Sequence, residues 1–139
     1  MIPQETIDEL ARVARAASKR AYAPYSHYAV GAAALSASGK VYTGCNIENA
    51  SYGLTVCAER TAVWAAVAAG DREIVAVAVA TPNGATPCGA CRQVLAEFMP
   101  SGAATERDTL VIMVTLQGNQ VMRLSELLPH AFLPEHLKE

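Results

Sequence analysis

Three of the four cysteines sit in two short segments, Cys57-Ala58-Glu59 and Pro87-Cys88-Gly89-Ala90-Cys91, and a carboxylate lies two positions beyond the first of them. The chain opens without a basic stretch followed by an apolar core, so the expectation is a cytoplasmic protein. In a reducing cytosol such thiols bind metal more often than they pair as disulfides. Three thiolates suit zinc, which is usually four-coordinate, and a site with three protein ligands keeps its last position for water. Zinc lowers the pKa of such a water to about 7, so hydroxide is available at neutral pH. Three thiolates around one Zn²⁺ leave a net negative charge, which works against that gain. Compensation can come from helix N-termini beside the sulfurs and from Arg60, next to Glu59, which can donate to them. Glu59 is then the candidate acid and base, a carboxyl group beside the metal and not bonded to it.

Blander readings exist for each residue. A Cys-x-x-Cys pair alone also occurs in structural zinc knuckles and redox motifs. A closed site with Cys45 as fourth ligand would make the chain a binding module without activity, although Cys45 reads more simply as a small apolar side chain at a strand end. His27, His130 and His136 share no metal-ligand spacing. Arg92 reads as part of a solvated helix face or a local ion pair, Trp64 as core, and Asn46 and Glu48 as turn formers.

The elements that must position these groups follow from periodicity. Ile7, Leu10, Ala14, Ala17 and Ala21 recur at helical spacing, which predicts a first helix over residues 5–21, stopped by Pro24. Residues 28–35 and 41–45 flank Ser38-Gly39 as a hairpin, and 46–55 read as a polar loop. A second helix over 57–69 ends at Gly70, a buried strand covers 74–81, and a third helix runs over 88–99 before Pro100. Strand 110–115 is followed, after Gln117-Gly118-Asn119, by a last strand over 121–124 that must turn back, since so short a link cannot reach a parallel neighbour. The order implies one α/β domain over residues 1–139, a mixed sheet covered by helices, with both cysteine segments where a strand passes into a helix. Residues 62–69 of the second helix leave no polar face, which implies burial all round and cover from another copy of the chain.

Composition narrows the partners. A formal net charge of −2 lacks the basic excess that a nucleic-acid polymer requires. The longest apolar run, again 62–69, is far shorter than the ~20 residues of a membrane span.

Beyond the two cysteine segments, Ala23-Pro24-Tyr25-Ser26, Val30-Gly31-Ala32-Ala33, Gly44-Cys45-Asn46-Ile47-Glu48-Asn49, Arg60-Thr61-Ala62, Arg92-Gln93 and Leu127-Leu128-Pro129 occur in order along nearly the whole chain. Together they resemble the small homotetrameric zinc-dependent cytidine deaminases. The resemblance implies a three-layer α/β/α fold on a five-stranded mixed sheet with an antiparallel last strand. It implies one zinc per chain on Cys57, Cys88 and Cys91, with Glu59 as acid and base. The implied reaction is hydrolytic deamination of cytidine or deoxycytidine to the uracil nucleoside and ammonia, in pyrimidine salvage. Asn46 and Glu48 would bond the ribose 3′-hydroxyl and the Ala58 backbone would hold the base. Phe132 would close over a neighbouring subunit's substrate, with Ala50 and Tyr52 approaching from another. Tyr28 stands where the family usually has phenylalanine against the pyrimidine, and His130 where it commonly has a small residue. A nucleoside antibiotic is the alternative substrate.

Overall fold

The computed structural model describes residues 2–101 and 107–138. Helix α1 (Gln4–Ser18) buries Ile7, Leu10, Ala11 and Ala14 along one stripe. It ends earlier than residue 21 and well before Pro24. The N–H groups of Lys19, Arg20 and Ala21 reach carbonyls three residues back, on Ala16, Ala17 and Ser18 (3.2, 3.0 and 3.2 Å), so the last turn tightens before the proline is met. A β-carbon at Gly31 would lie 2.1 Å from the Ala14 carbonyl oxygen and 2.3 Å from the Ser18 nitrogen. Only glycine lets the first strand pass this close to the helix end.

Strands β1 (Gly31–Ser36) and β2 (Val41–Cys45) form the expected antiparallel hairpin. β1 begins at Gly31 and not at residue 28, because the Asn46 side chain, and not a partner strand, takes the Tyr28 carbonyl and the Val30 N–H. There follow a 3₁₀ turn (Tyr52–Leu54), α2 (Ala58–Ala68), β3 (Ile74–Ala80), α3 (Gly89–Glu97), β4 (Leu110–Thr115), β5 (Gly118–Arg123), the four-residue α4 (Leu124–Leu127) and a second 3₁₀ turn (Pro134–Leu137). The sheet order is β2-β1-β3-β4-β5; β3 and β4 are parallel and the other pairs antiparallel, including the last.

Alternation along β1, β3 and β4 divides the core in two. Ala33, Ala76, Ala78, Ile112 and Val114 face α1, whereas Ala32, Ala34, Val77, Val79, Val111 and Met113 face α2 and α3. The result is the three-layer α/β/α arrangement on a mixed five-stranded sheet. The last strand starts at Gly118, inside the segment read as a turn, and Leu124 belongs to α4. Thr115 pairs with Gly118, which leaves only two residues between the strands. β5 is an edge strand with polar residues on both faces, so no apolar alternation marks its start.

Two corrections concern α2. Its N-terminal Cys57 is not entered from a strand: residues 46–56 intervene, held by an isolated bridge between Ile47 and Val56. Cys88, by contrast, does follow β3 through a loop. α2 buries Ala58, Glu59, Ala62, Val63 and Ala66, but Trp64 is 46% exposed and Ala65 and Ala68 lie open beside it. Trp64 is therefore not core in the single chain, and the helix is covered on one side only. Gly44 explains the close seat of that covered side, since a β-carbon there would meet the Ala62 nitrogen and the Thr61 hydroxyl at 2.4 Å.

Candidate active site

Both helices that carry the cysteines begin at one. Cys57 and Cys88 are the residues immediately before the first turns of α2 and α3, both in extended backbone, and Cys91 lies in the first turn of α3. The three sulfurs lie within 4.8 Å of one another. Cys57 Sγ and Cys88 Sγ are 3.8 Å apart. Tetrahedral zinc with Zn–S bonds of about 2.3 Å requires sulfur separations of about 3.8 Å, so the donor set fits that ion. Among the described residues no other group of potential ligands forms. Cys45 stays apart, its sulfur 3.5 Å from the Arg20 carbonyl oxygen, which removes the closed four-cysteine site.

The electrostatics suit a metal held by thiolates. A hydrogen bond from Cys91, acting against burial and joined by those from Arg60 and Cys88, pulls the Cys57 thiol down to about 5. That same hydrogen bond, with burial and the neighbouring Glu59 carboxylate, pushes Cys91 upward. Arg60 Nη2 donates to Cys57 Sγ at 3.4 Å, and this contact raises the guanidinium pKa further. Arg60 therefore supplies the positive charge that the sulfurs need. Glu59 is 4% exposed, and burial, reinforced by the charge on Cys57, pushes its carboxyl up to about 7.

Glu59, Cys57 and Cys88 line a cavity of about 180 Å³. Tyr28, Val30, Asn46, Ala58, Val79, Thr81, Ala85 and Thr86 complete its lining, with Thr55. The Asn46 amide is partly committed: Oδ1 accepts from the Val30 N–H (2.9 Å) and Nδ2 donates to the Tyr28 carbonyl (2.7 Å). One lone pair and one N–H remain for a ligand. Glu48 lies in an adjoining hollow with Tyr25, Ser26 and Tyr52, and Thr55 is common to both spaces. Its carboxylate accepts the N–H groups of Tyr25 (3.0 Å) and Ser26 (3.1 Å) and the Ser26 hydroxyl. The Ser26 hydroxyl above all holds its pKa below the usual carboxylate value.

Besides Glu48, three residues singled out in the sequence do not line the cysteine cavity of their own chain. Ala50 is exposed, Tyr52 is 75% exposed with its ring 5.8 Å from that of Tyr25, and Phe132 is 58% exposed and stacked on His136. Arg92 is partly buried and, among the described residues, in no ion pair. It donates to the carbonyls of Pro87 (2.7 Å) and Leu127 (2.6 Å) and to the Thr86 hydroxyl (2.8 Å), tying the loop that carries Cys88 to α4. Nothing in residue type or spacing marks that role, nor the place of Thr81, Ala85 and Thr86 in the cavity lining. His130 has φ +54, a left-handed backbone position where a side chain costs energy.

A three-thiolate site beside a non-ligating carboxyl belongs to a metalloenzyme, whereas a structural zinc knuckle closes its fourth position with a fourth protein ligand. The chain belongs to the cytidine and deoxycytidylate deaminase family, whose zinc-binding region it matches over residues 4–104. It is 51% identical over 126 residues to a cytidine deaminase of Halalkalibacterium halodurans, an alignment spanning 88% of this chain and 91% of that one. A cytidine deaminase of Mycobacterium tuberculosis is 44% identical over 118 residues, 84% of this chain and 81% of the relative. The crystal structure of cytidine deaminase from Burkholderia pseudomallei superposes with a TM-score of 0.81 at 43% identity, covering 94% of this chain and all of that one. The chain is thus a zinc-binding enzyme of the deaminase class.

Proposed function

We propose that the chain hydrolyses cytidine and deoxycytidine, replacing the exocyclic amine at C4 by oxygen from water and releasing ammonia. The observation that carries this reading is Glu59, buried beside three clustered sulfurs at a cavity that Cys57 and Cys88 help to line. Cys57, Cys88 and Cys91 hold zinc, which when bound acts as a Lewis acid and makes water a nucleophile at neutral pH. Glu59 moves the protons. With its pKa raised to about 7 it takes one proton from the attacking water and passes it to the ring nitrogen, then takes that water's second proton from the C4 hydroxyl and passes it to the departing amine, which leaves as ammonia. Arg60 balances the charge on Cys57. Tyr28 lays its ring along the base, the Ala58 backbone bonds the base edge, and Asn46 uses its spare N–H and lone pair on the ribose 3′-hydroxyl, with Glu48 from the adjoining hollow.

The same reading takes residues 1–139 as one domain acting in the cytoplasm in pyrimidine salvage, as a homotetramer. The open apolar side of α2, with Trp64, Ala65 and Ala68, supports assembly, and the exposure of Ala50, Tyr52 and Phe132 suits contact with a neighbouring subunit's site. Incubation of zinc-loaded protein with cytidine should release ammonia and convert the cytosine absorbance to that of uracil. Turnover of neither cytidine nor deoxycytidine would overturn the substrate assignment.

A further inference from the structure

We propose that Asn83 is a positioning residue for substrate binding: by accepting the Tyr28 hydroxyl it locks the tyrosine ring in place as a wall of the base subsite. The proposal rests on the nucleoside reading above. Tyr28 lies just before β1, and its hydroxyl donates to Asn83 Oδ1 at 2.5 Å, across 55 residues of chain. Asn83 does not itself line the cavity, but it sits in the loop after β3 whose Thr81, Ala85, Thr86 and Cys88 do. That loop is braced internally. Thr81 Oγ1 accepts the Ala85 N–H at 3.0 Å and donates to Asn83 Oδ1 at 3.4 Å.

The other end of Tyr28 is held as firmly. Its N–H donates to Ser26 Oγ at 3.0 Å and its carbonyl accepts from Asn46 Nδ2 at 2.7 Å. Ser26 and Asn46 belong to the ribose side of the site in this reading, so the tyrosine joins that side at its backbone and the Cys88 loop at its tip. A phenol has one proton to give. With that proton directed to Asn83, Tyr28 offers the cavity an aromatic surface and no donor, which suits the face of a pyrimidine. Without Asn83 the ring can rotate, and its hydroxyl competes for water or for the base. The ordering of the wall would then be required at each binding event, which weakens the complex without touching the groups that move protons.

The test compares Tyr28→Phe, Asn83→Ala, the double variant and Asn83→Asp as zinc-loaded protein. Tyr28→Phe keeps the ring, and Asn83 is exposed, so the variants retain the fold and the metal. Loss of one hydrogen bond predicts a KM for cytidine raised about 3- to 10-fold in each single variant, with kcat changed less than about twofold. The double variant should match either single one, because the two side chains act as a unit. Asn83→Asp keeps an acceptor and should restore the KM. Hydrogen exchange gives a second reading that needs no turnover: amides of residues 83–86 should exchange faster in Tyr28→Phe and Asn83→Ala and as in the parent in Asn83→Asp. Additive effects on KM, an effect confined to kcat, or unchanged exchange would overturn the latch. A parent enzyme that turns over neither nucleoside would overturn the functional reading instead, with the exchange comparison still deciding the latch.

Discussion

At the cysteine cluster the polar side chains face one another: three sulfurs within 4.8 Å, a buried glutamate beside them and one guanidinium bonded to a thiol. At the neighbouring loop of Asn46 and Glu48 they face backbone, Asn46 holding Tyr28 and Val30 and Glu48 holding Tyr25 and Ser26. One group presents sulfurs that a cation can bind, and the other is already largely satisfied by backbone. The first should respond to mutation in chemistry, the second in folding as well as in binding. Polar residues in neighbouring parts of one site therefore differ in what they contribute, although a glutamate occurs in both.

The sharpest way to break the comparison is Glu59→Gln, which should lower kcat by the ~10²- to 10⁴-fold typical of a lost general acid or base while zinc content stays near one per chain. Cys45→Ser should keep both zinc and activity. Zinc lost from Cys45→Ser, with Glu59→Gln still active, would return the site to a structural role.

A second effect belongs to the metal-free protein. The Glu59 carboxyl is raised in the fold from 4.5 to about 7, so its protonated form is the one the fold favours. Its contribution is fully present below the unfolded value and is lost as pH rises through the folded one. In chelator-stripped protein, Glu59→Gln should match the parent at acidic pH and exceed it above pH ~7 by about 3 kcal/mol of unfolding free energy. Urea denaturation at the two pH values measures this, and a gap that narrows with rising pH would contradict the burial argument.

The smallest effect lies on the loop side. Asn46→Ala leaves the Val30 N–H buried without its acceptor and should cost about 1–3 kcal/mol of stability, seen as a lower urea midpoint in the metal-free protein. Glu48→Gln, which holds an exposed segment, should move that midpoint less. Equal and negligible shifts would mean that the loop side is no more structural than the cluster.

Strongly patterned elements are legible in the sequence. β3 and β4 are continuous apolar runs, α1 carries its stripe, and the hairpin announces its turn, because burial on a sheet face or helix stripe demands those periods. β5, α4 and the early end of α1 are not legible, since they depend on backbone pairing and on the seat that Gly31 allows and not on an apolar period. Trp64 reads as core because indole is apolar, but exposure depends on which side of α2 meets the sheet. Arg92 reads as solvated because arginine is charged, although its guanidinium finds three acceptors on two other segments.

The sequence by itself carries the candidate ligand set and the candidate proton carrier: thiols at two helix starts with a carboxyl two residues beyond the first are local features, and helix geometry gives them their direction. Tertiary structure alone decides that Cys45 stands apart, that Asn46 and Glu48 support the loop around residues 25–30, and that Tyr28 meets Asn83. Those relations join segments far apart in the chain, and only the closing of β1, β3 and the two cysteine helices into one packed unit brings such segments within hydrogen-bonding distance.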